Sequence, residues 1–443
     1  MNRPAIFCHI SGWLLALLLL AAPLQGQSQA PTEQILTQSR QTLKRILFDN
    51  ILPFWYPATL DSSHGGYRLN HDLQGHWQGP ADKTLLTQAR LVWFYARLYN
   101  SGLGDQRHLE AARHGYIFIR DHLWDPEHGG FYWAVDHTGA QATIPGKHLY
   151  GQAFGLYALA EYTRATNDTQ AGQLADELFA LLEEKAHDPE HGGYSEYFQP
   201  DWSLVPPDST TFFTYNFSAP TTKLMNTHLH LMEAFTNYYR LDPKPLVKER
   251  LVELIGILSS KVVRQQGACT DAYARDWTPL QGRWYDLVYY GHDLENVWLL
   301  MEACRAAEIP LEPLLGLFHG LWDYTLEHGF DQIEGGVFNT GPLGQSAPEQ
   351  GRGKIFWVQG ESMLSALHMY RLTGQTRYFD YFTKILQWVV ERQIDWRHGE
   401  WYEEIGADGL PKGVKAGEWK AAYHHGRATL ESLLLLDQLA TPD

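Results

Sequence analysis

Six stretches of the chain are apolar on more than one side at a helical period: 83–100, 149–166, 223–239, 291–307, 354–373 and 423–439. A surface helix keeps one polar face, so helices apolar all round are predicted to form a buried inner layer. Between them recurs a short phrase: His64-Gly65-Gly66-Tyr67, His128-Gly129-Gly130-Phe131, His191-Gly192-Gly193-Tyr194, Glu334-Gly335-Gly336-Val337 and His398-Gly399-Glu400-Trp401. Glycine suits a tight turn with positive φ, and the aromatic or β-branched residue after it suits a short strand. The first glycines stand 64, 63, 143 and 64 residues apart, so the long gap holds one decayed copy and the chain contains six units. Two helices and a turn repeated six times predict an all-α closed ring, an (α/α)6 barrel of six helix pairs with short β-hairpin turns at one end.

Residues 1–30 are set apart from this pattern. Arg3, the apolar run from Trp13 to Leu20 and the small-residue site Ser28-Gln29-Ala30 predict a secretory signal peptide. Residues 31–443 then form a single catalytic domain that is secreted or periplasmic and free of the membrane after cleavage. A net charge of −16 disfavours nucleic acid and anionic membranes as partners. The 16 Trp and 24 Tyr exceed what a core needs and hint at carbohydrate, whose apolar ring faces stack on aromatic side chains. Cys269 and Cys304 are available to pair in an oxidising compartment. No CxxC, HExxH, P-loop or GxSxG motif occurs.

The polar exceptions cluster at the starts of the apolar helices. Asn226, His230 and Glu233 share one helical face, whereas His228 points elsewhere and reads as a core histidine. His292 and Glu295 stand at i, i+3, with Asp293 as a partner for the first turn's dipole. Trp357 and Glu361 stand at i, i+4, and His424 lies one turn before Arg427. Lys83 and Arg90 add cations, of which Arg90 is the better partner for a substrate oxygen. Histidines with carboxylates admit a metal site or acid/base chemistry near neutral pH. A His-x-His pair on one helix cannot bring both rings to one ion, and no carboxylate has a recognisable ligand spacing, so no metal is expected. Acid/base work at a carbon beside a carbonyl needs two proton-transfer groups and partners for the enediolate oxygens.

The segments MNTHLHLMEAFTNYYR, YGHDLENVWLL, FWVQGE and GEWKAAYHHGRATLE, with YGQAFGLYALAEY and KTLLTQARLVWFYARLY, resemble the N-acylglucosamine 2-epimerase superfamily, and within it the cellobiose 2-epimerase branch. The resemblance runs from about Thr32 to Leu439. It implies the same barrel, no metal or nucleotide cofactor, and reversible 2-epimerisation of the reducing-end sugar of β-1,4-linked disaccharides, by a monomer. It implies His292 and His424 as the acid/base pair and His230 as the group assisting ring opening or steadying the enediolate. Arg90 and Asn226 would hold the C1 and C2 oxygens, and Glu295 would polarise His292. Trp357 and Trp419 would be platforms for the sugar rings, Glu361 would bind hydroxyls, and Tyr150 and Gln152 would either line the pocket or serve packing. His425 replaces the family's Asn and Gly360 its Ala. The proline-rich segment 198–222 is either a loop over the pocket or a plain surface loop.

Within the family the rival is a monosaccharide aldose–ketose isomerase or an N-acylglucosamine 2-epimerase. A glycoside hydrolase would need two carboxylates flanking the bond, and no such isolated pair is found. A sugar-binding protein without activity would have no use for His230, His292, His424 and Arg90 together.

Overall fold

A single helical turn at Leu52–Trp55 apart, twelve α-helices alternate between two layers among the described residues. In the computed structural model, which describes residues 31–206 and 222–440, they begin with α1 (Glu33–Arg45), α2 (Leu85–Asn100), α3 (Gln106–Phe118), α4 (Leu149–Thr166), α5 (Thr169–Leu181) and α6 (Met225–Leu241). They continue as α7 (Pro245–Gly256), α8 (Tyr290–Ala307), α9 (Leu315–His328), α10 (Phe356–Thr373), α11 (Thr376–Trp388) and α12 (His424–Ala440). The even-numbered helices pack side by side from α2 to α12, and α12 packs back on α2, closing the ring. Each odd-numbered helix covers one inner helix: α3 lies on α2, α5 on α4, α7 on α6, α9 on α8, α11 on α10 and α1 on α12. The molecule is an (α/α)6 barrel.

Burial follows this layering. Every residue of α4 from Leu149 to Tyr162 is buried, whereas α5 buries only the stripe Ala171, Ala175, Leu178 and Phe179. Apolar residues on every face suit a helix wedged between two inner neighbours and an outer one. A single stripe suits a helix with water on its other side.

The turns fix how each pair enters the ring. In the second unit the Asp125 N–H donates to the Gly130 carbonyl and the Gly129 N–H to the Asp125 carbonyl, at 2.8 and 3.0 Å. One carboxylate oxygen accepts the Glu127 and His128 N–H groups, and the other accepts Lys147 Nζ at 2.7 Å. Lys147 and Asp125 are both buried. The same latch joins Lys83 to Asp61, Lys223 to Asp188 and Lys354 to Asp331. Lys83 is therefore a structural anchor with no place in the pocket. The second glycine is obligatory: Gly193 has φ +73°, and a Cβ there would lie 2.8 Å from His228 Nε2.

The decayed copy, fourth in chain order, is Gly267-Ala268-Cys269, because Cys269 pairs with Val263 as Tyr67 pairs with Leu60 and Phe131 with Trp124. Cys269 and Cys304 are both free and buried, so they form no disulfide. Residues 1–30, expected to be a signal peptide, and residues 207–221 of the 198–222 loop lie outside the described residues. No described helix is long and apolar enough to cross a membrane.

Removing one partner of a buried pair leaves the other desolvated. Lys147→Met is therefore expected to lower unfolding free energy by about 3 kcal/mol, read from urea denaturation. Lys185→Met, whose half-exposed side chain pairs at the surface, should cost under about 1 kcal/mol.

Candidate active site

One position in each inner helix reaches back to clamp its own turn. Gln88 accepts the Tyr67 N–H at 2.8 Å and donates to the Tyr67 carbonyl, and Gln152 does the same for Phe131. Gln359 does so for Val337, while His228 and Asp293 accept the Tyr194 and Cys269 N–H groups, each at 2.9 Å. His228 and Gln152 are thus clamps that do not reach substrate. Asp293, expected as a dipole partner, is buried in this same clamp. His425 holds the sixth clamp position and turns its Nε2 toward Glu400 at 2.7 Å, away from the pocket.

The clamp sets the register of everything polar. Two residues after it come Arg90, Phe154, His230, Glu295, Glu361 and Arg427, all directed at the barrel axis. One or two residues before it come Tyr150, Asn226, His292, Trp357 and His424. Arg90, Tyr150, Asn226, His230, His292, Trp357 and His424 line one cavity of about 290 Å³, with Trp419 at its rim. The His230 and His424 ring centroids are 6.3 Å apart, and Trp357 stands between His292 and His424 at 4.8 and 5.6 Å. Arg90 is fixed by bonds to the Tyr150 hydroxyl and the Trp419 carbonyl, at 2.9 and 3.1 Å. Asn226 Oδ1 has no hydrogen bond among the described residues, so it is available to a ligand.

Glu295 and Glu361 depart from expectation. Neither lines the cavity. Glu295 does not reach His292; it faces the axis and accepts Arg427 Nη2 at 2.7 Å, the guanidinium that α12 brings there. Glu361 accepts Arg427 Nη2 at 2.8 Å, Trp298 Nε1 at 3.0 Å and pairs with His424 Nδ1 at 2.7 Å, which leaves it no access to a sugar hydroxyl. Glu233 completes the group by bonding His230 Nδ1 at 2.9 Å, the Tyr423 hydroxyl and Arg427. Glu295, Glu361 and His424 converge closely enough to hold a cation, and the Arg427 guanidinium already takes that place.

His148, Tyr289, Asn339 and Glu403 also line the cavity and were missed from sequence. His148 and Tyr289 occupy the residue just before an inner helix, a register that could have found them. Asn339 and Glu403 come from hairpin segments, where no helical period marks them.

Burial, reinforced by His230, pushes His292 down to about 3. Burial likewise pulls His230 down to about 4 against the opposing pull of Glu233. His424 is lowered well below the usual range by burial, Arg90 and Arg427. All three rings are neutral at pH 7, with lone pairs available to accept protons. Burial also resists ionisation of Glu233, but Arg427, His230 and Tyr423 outweigh it and hold that carboxyl at about 2. Burial and the neighbouring Glu361 push Glu295 well above the carboxylate range.

These shifts make a stability prediction. The unfolded chain takes up protons near the ordinary histidine value of about 6.5. Folded His230 and His292 stay neutral down to about 4 and about 3. The unfolded state therefore binds more protons in that window, and stability is lost as pH falls through it. His292→Gln should flatten the decline by at most about 1.4 kcal/mol per pH unit, seen in urea midpoints between pH 6.5 and 4.

A sequence profile of the N-acylglucosamine 2-epimerase (GlcNAc 2-epimerase) family matches residues 65–428. A cellobiose 2-epimerase from Ruminococcus albus is 32% identical over 395 residues, covering 88% of this chain and 97% of that protein. The solved structure of cellobiose 2-epimerase from Spirochaeta thermophila superposes with a TM-score of 0.82 at 32% identity, covering 93% of this chain and all of that one. A D-mannose isomerase from Marinomonas mediterranea is 23% identical, covering 88% of this chain and 95% of that protein. The profile spans most of the barrel and every helix that lines the cavity, so the chain belongs to the N-acylglucosamine 2-epimerase family and is a carbohydrate epimerase.

Proposed function

We propose that the protein reversibly epimerises C2 of the reducing-end sugar in β-1,4-linked disaccharides, converting cellobiose to glucosyl-mannose or mannobiose to mannosyl-glucose. The observation that carries this reading is the trio of imidazoles from α6, α8 and α12 around one cavity with a fixed arginine. In the ring-opened sugar, the C2 proton is acidified by the C1 carbonyl. One of His292 and His424 removes it, and the electron pair moves into an enediolate whose oxygens face Arg90 and Asn226. Rotation about C2–C3 presents the other face, and the second histidine, itself protonated from solvent, returns a proton to C2 while the first releases to solvent the one it took. His230, oriented by Glu233, assists ring opening. Trp357 and Trp419 offer apolar faces to the two sugar rings. The cellobiose 2-epimerase relatives support the disaccharide. The D-mannose isomerase relative supports a second reading, in which the proton returns to C1 and gives a ketose. We further propose that the enzyme acts as an exported monomer, on the signal-like pattern of residues 1–30.

Proton NMR in D2O with cellobiose and with β-1,4-mannobiose tests the reaction. Epimerisation predicts new reducing-end anomeric signals and deuterium at C2, whereas a ketose product would move the assignment to isomerase. His292→Gln and His424→Gln should each lower kcat by about 10²–10⁴-fold. Export predicts that the mature chain recovered outside the cytoplasm starts near Pro31, read by intact mass.

A further inference from the structure

A second cavity, of about 300 Å³, opens at the other end of the barrel, where the inner helices finish. Its lining shares no residue with the sugar pocket. Among the described residues, the layer of Glu233, Glu295, Glu361, Tyr423 and Arg427 stands between them, since Glu233 bonds His230 above and Glu361 bonds His424.

Arginines dominate its mouth. Arg97, Arg164, Arg240, Arg305 and Arg371 each stand in the last turn of an inner helix, and all but Arg305 line the cavity. A cation near a helix C-terminus favourably meets the dipole, but that need is common to all helices. Outer helices end on cations as well, Lys44 and Arg45 in α1 and Arg120, Lys185, Lys261 and Arg392 where α3, α5, α7 and α11 run on into their closing turns. What sets the inner-helix arginines apart is that closure of the barrel gathers four of them, Arg97, Arg164, Arg240 and Arg371, around one cavity. With Arg427 they place five cations in the lining against Glu161, Glu233, Glu302 and Glu431, in a chain of net charge −16.

Their donors are only partly committed. Arg97 is held bidentately by Glu431. Among the described residues, Arg164 engages Glu161 and Asn237 through Nη1 alone, and Arg240 engages Glu302 through Nη2 alone. Arg371 is exposed and makes no described hydrogen bond or ion pair. Guanidinium forks with spare donors match carboxylate and phosphate oxygens.

We propose that this cavity is a second binding site, for a compact, multiply charged oxyanion (polycarboxylate or phosphate), filled independently of the sugar pocket. Titration calorimetry of the full chain with citrate and with inorganic pyrophosphate, at low salt and with or without saturating cellobiose, tests it. Expected is one saturable site for at least one of the two anions, unaffected by cellobiose and weakened by added NaCl. The stronger of the two identifies the oxyanion. Arg371→Gln, at an exposed position, should weaken binding about tenfold, the ratio one charge-assisted hydrogen bond supports, with an unchanged melting temperature in the absence of anion. Arg240→Gln should weaken it as well. No saturable binding of either anion, displacement by cellobiose, or unchanged affinity in both variants would overturn the site. The arginine readout does not depend on which sugar the other pocket takes.

Discussion

Arg427 is the charge on which the rest of the barrel's polar interior depends. Its guanidinium bonds Glu233 from α6, Glu295 from α8 and Glu361 from α10, while its own helix is α12. Three buried carboxylates could not stand this close without a fixed cation, since desolvation and mutual repulsion would drive them all to protonate. With it, Glu233 stays ionised, while burial raises Glu361 and, more strongly, Glu295. The cluster lets Glu233 and Glu361 each orient one histidine, and it ties four inner helices at the level of the pocket floor.

The sixfold turn architecture gives that cluster its geometry. Five of the six inner helices are gripped by the same device, a side chain clamping the residue after a glycine turn, while a buried lysine latches that turn in four units. Because the clamp sets the rotation of each helix, positions equally spaced from it face the axis, and side-chain length then decides which cavity each reaches. The sixth unit breaks the rule. Glu400 takes the place of the second glycine at φ +66° and binds Trp55 Nε1 and Lys420. Its bonds to buried donors offset the backbone strain of a left-handed non-glycine residue, and His425 follows it away from the pocket.

A close-packed inner layer also explains why two cavities can coexist. Inner helices that are apolar on nearly every face fill the barrel's middle, and polar groups collect where the helices begin and end. Arg90, His230 and Arg427 are exceptions near the middle, and every one of them is held by aromatic faces or ion pairs.

Periodicity in the sequence determined the number of units, which helices are inner, and the helix starts that face the pocket. It could do so because a 3.6-residue period and a recurring glycine turn are local constraints. His230, His292, His424, Arg90 and Asn226 were legible for the same reason, whereas Tyr150 came from the family resemblance. What Glu295 and Glu361 touch was not. Their helical spacing to His292 and Trp357 suggested local partners, yet both lean toward an arginine contributed by a distant helix. Asn339, Glu403, the free cysteines and the arginine-lined cavity were equally hidden. Each depends on where separate segments meet across the ring, and only closure of the barrel decides that.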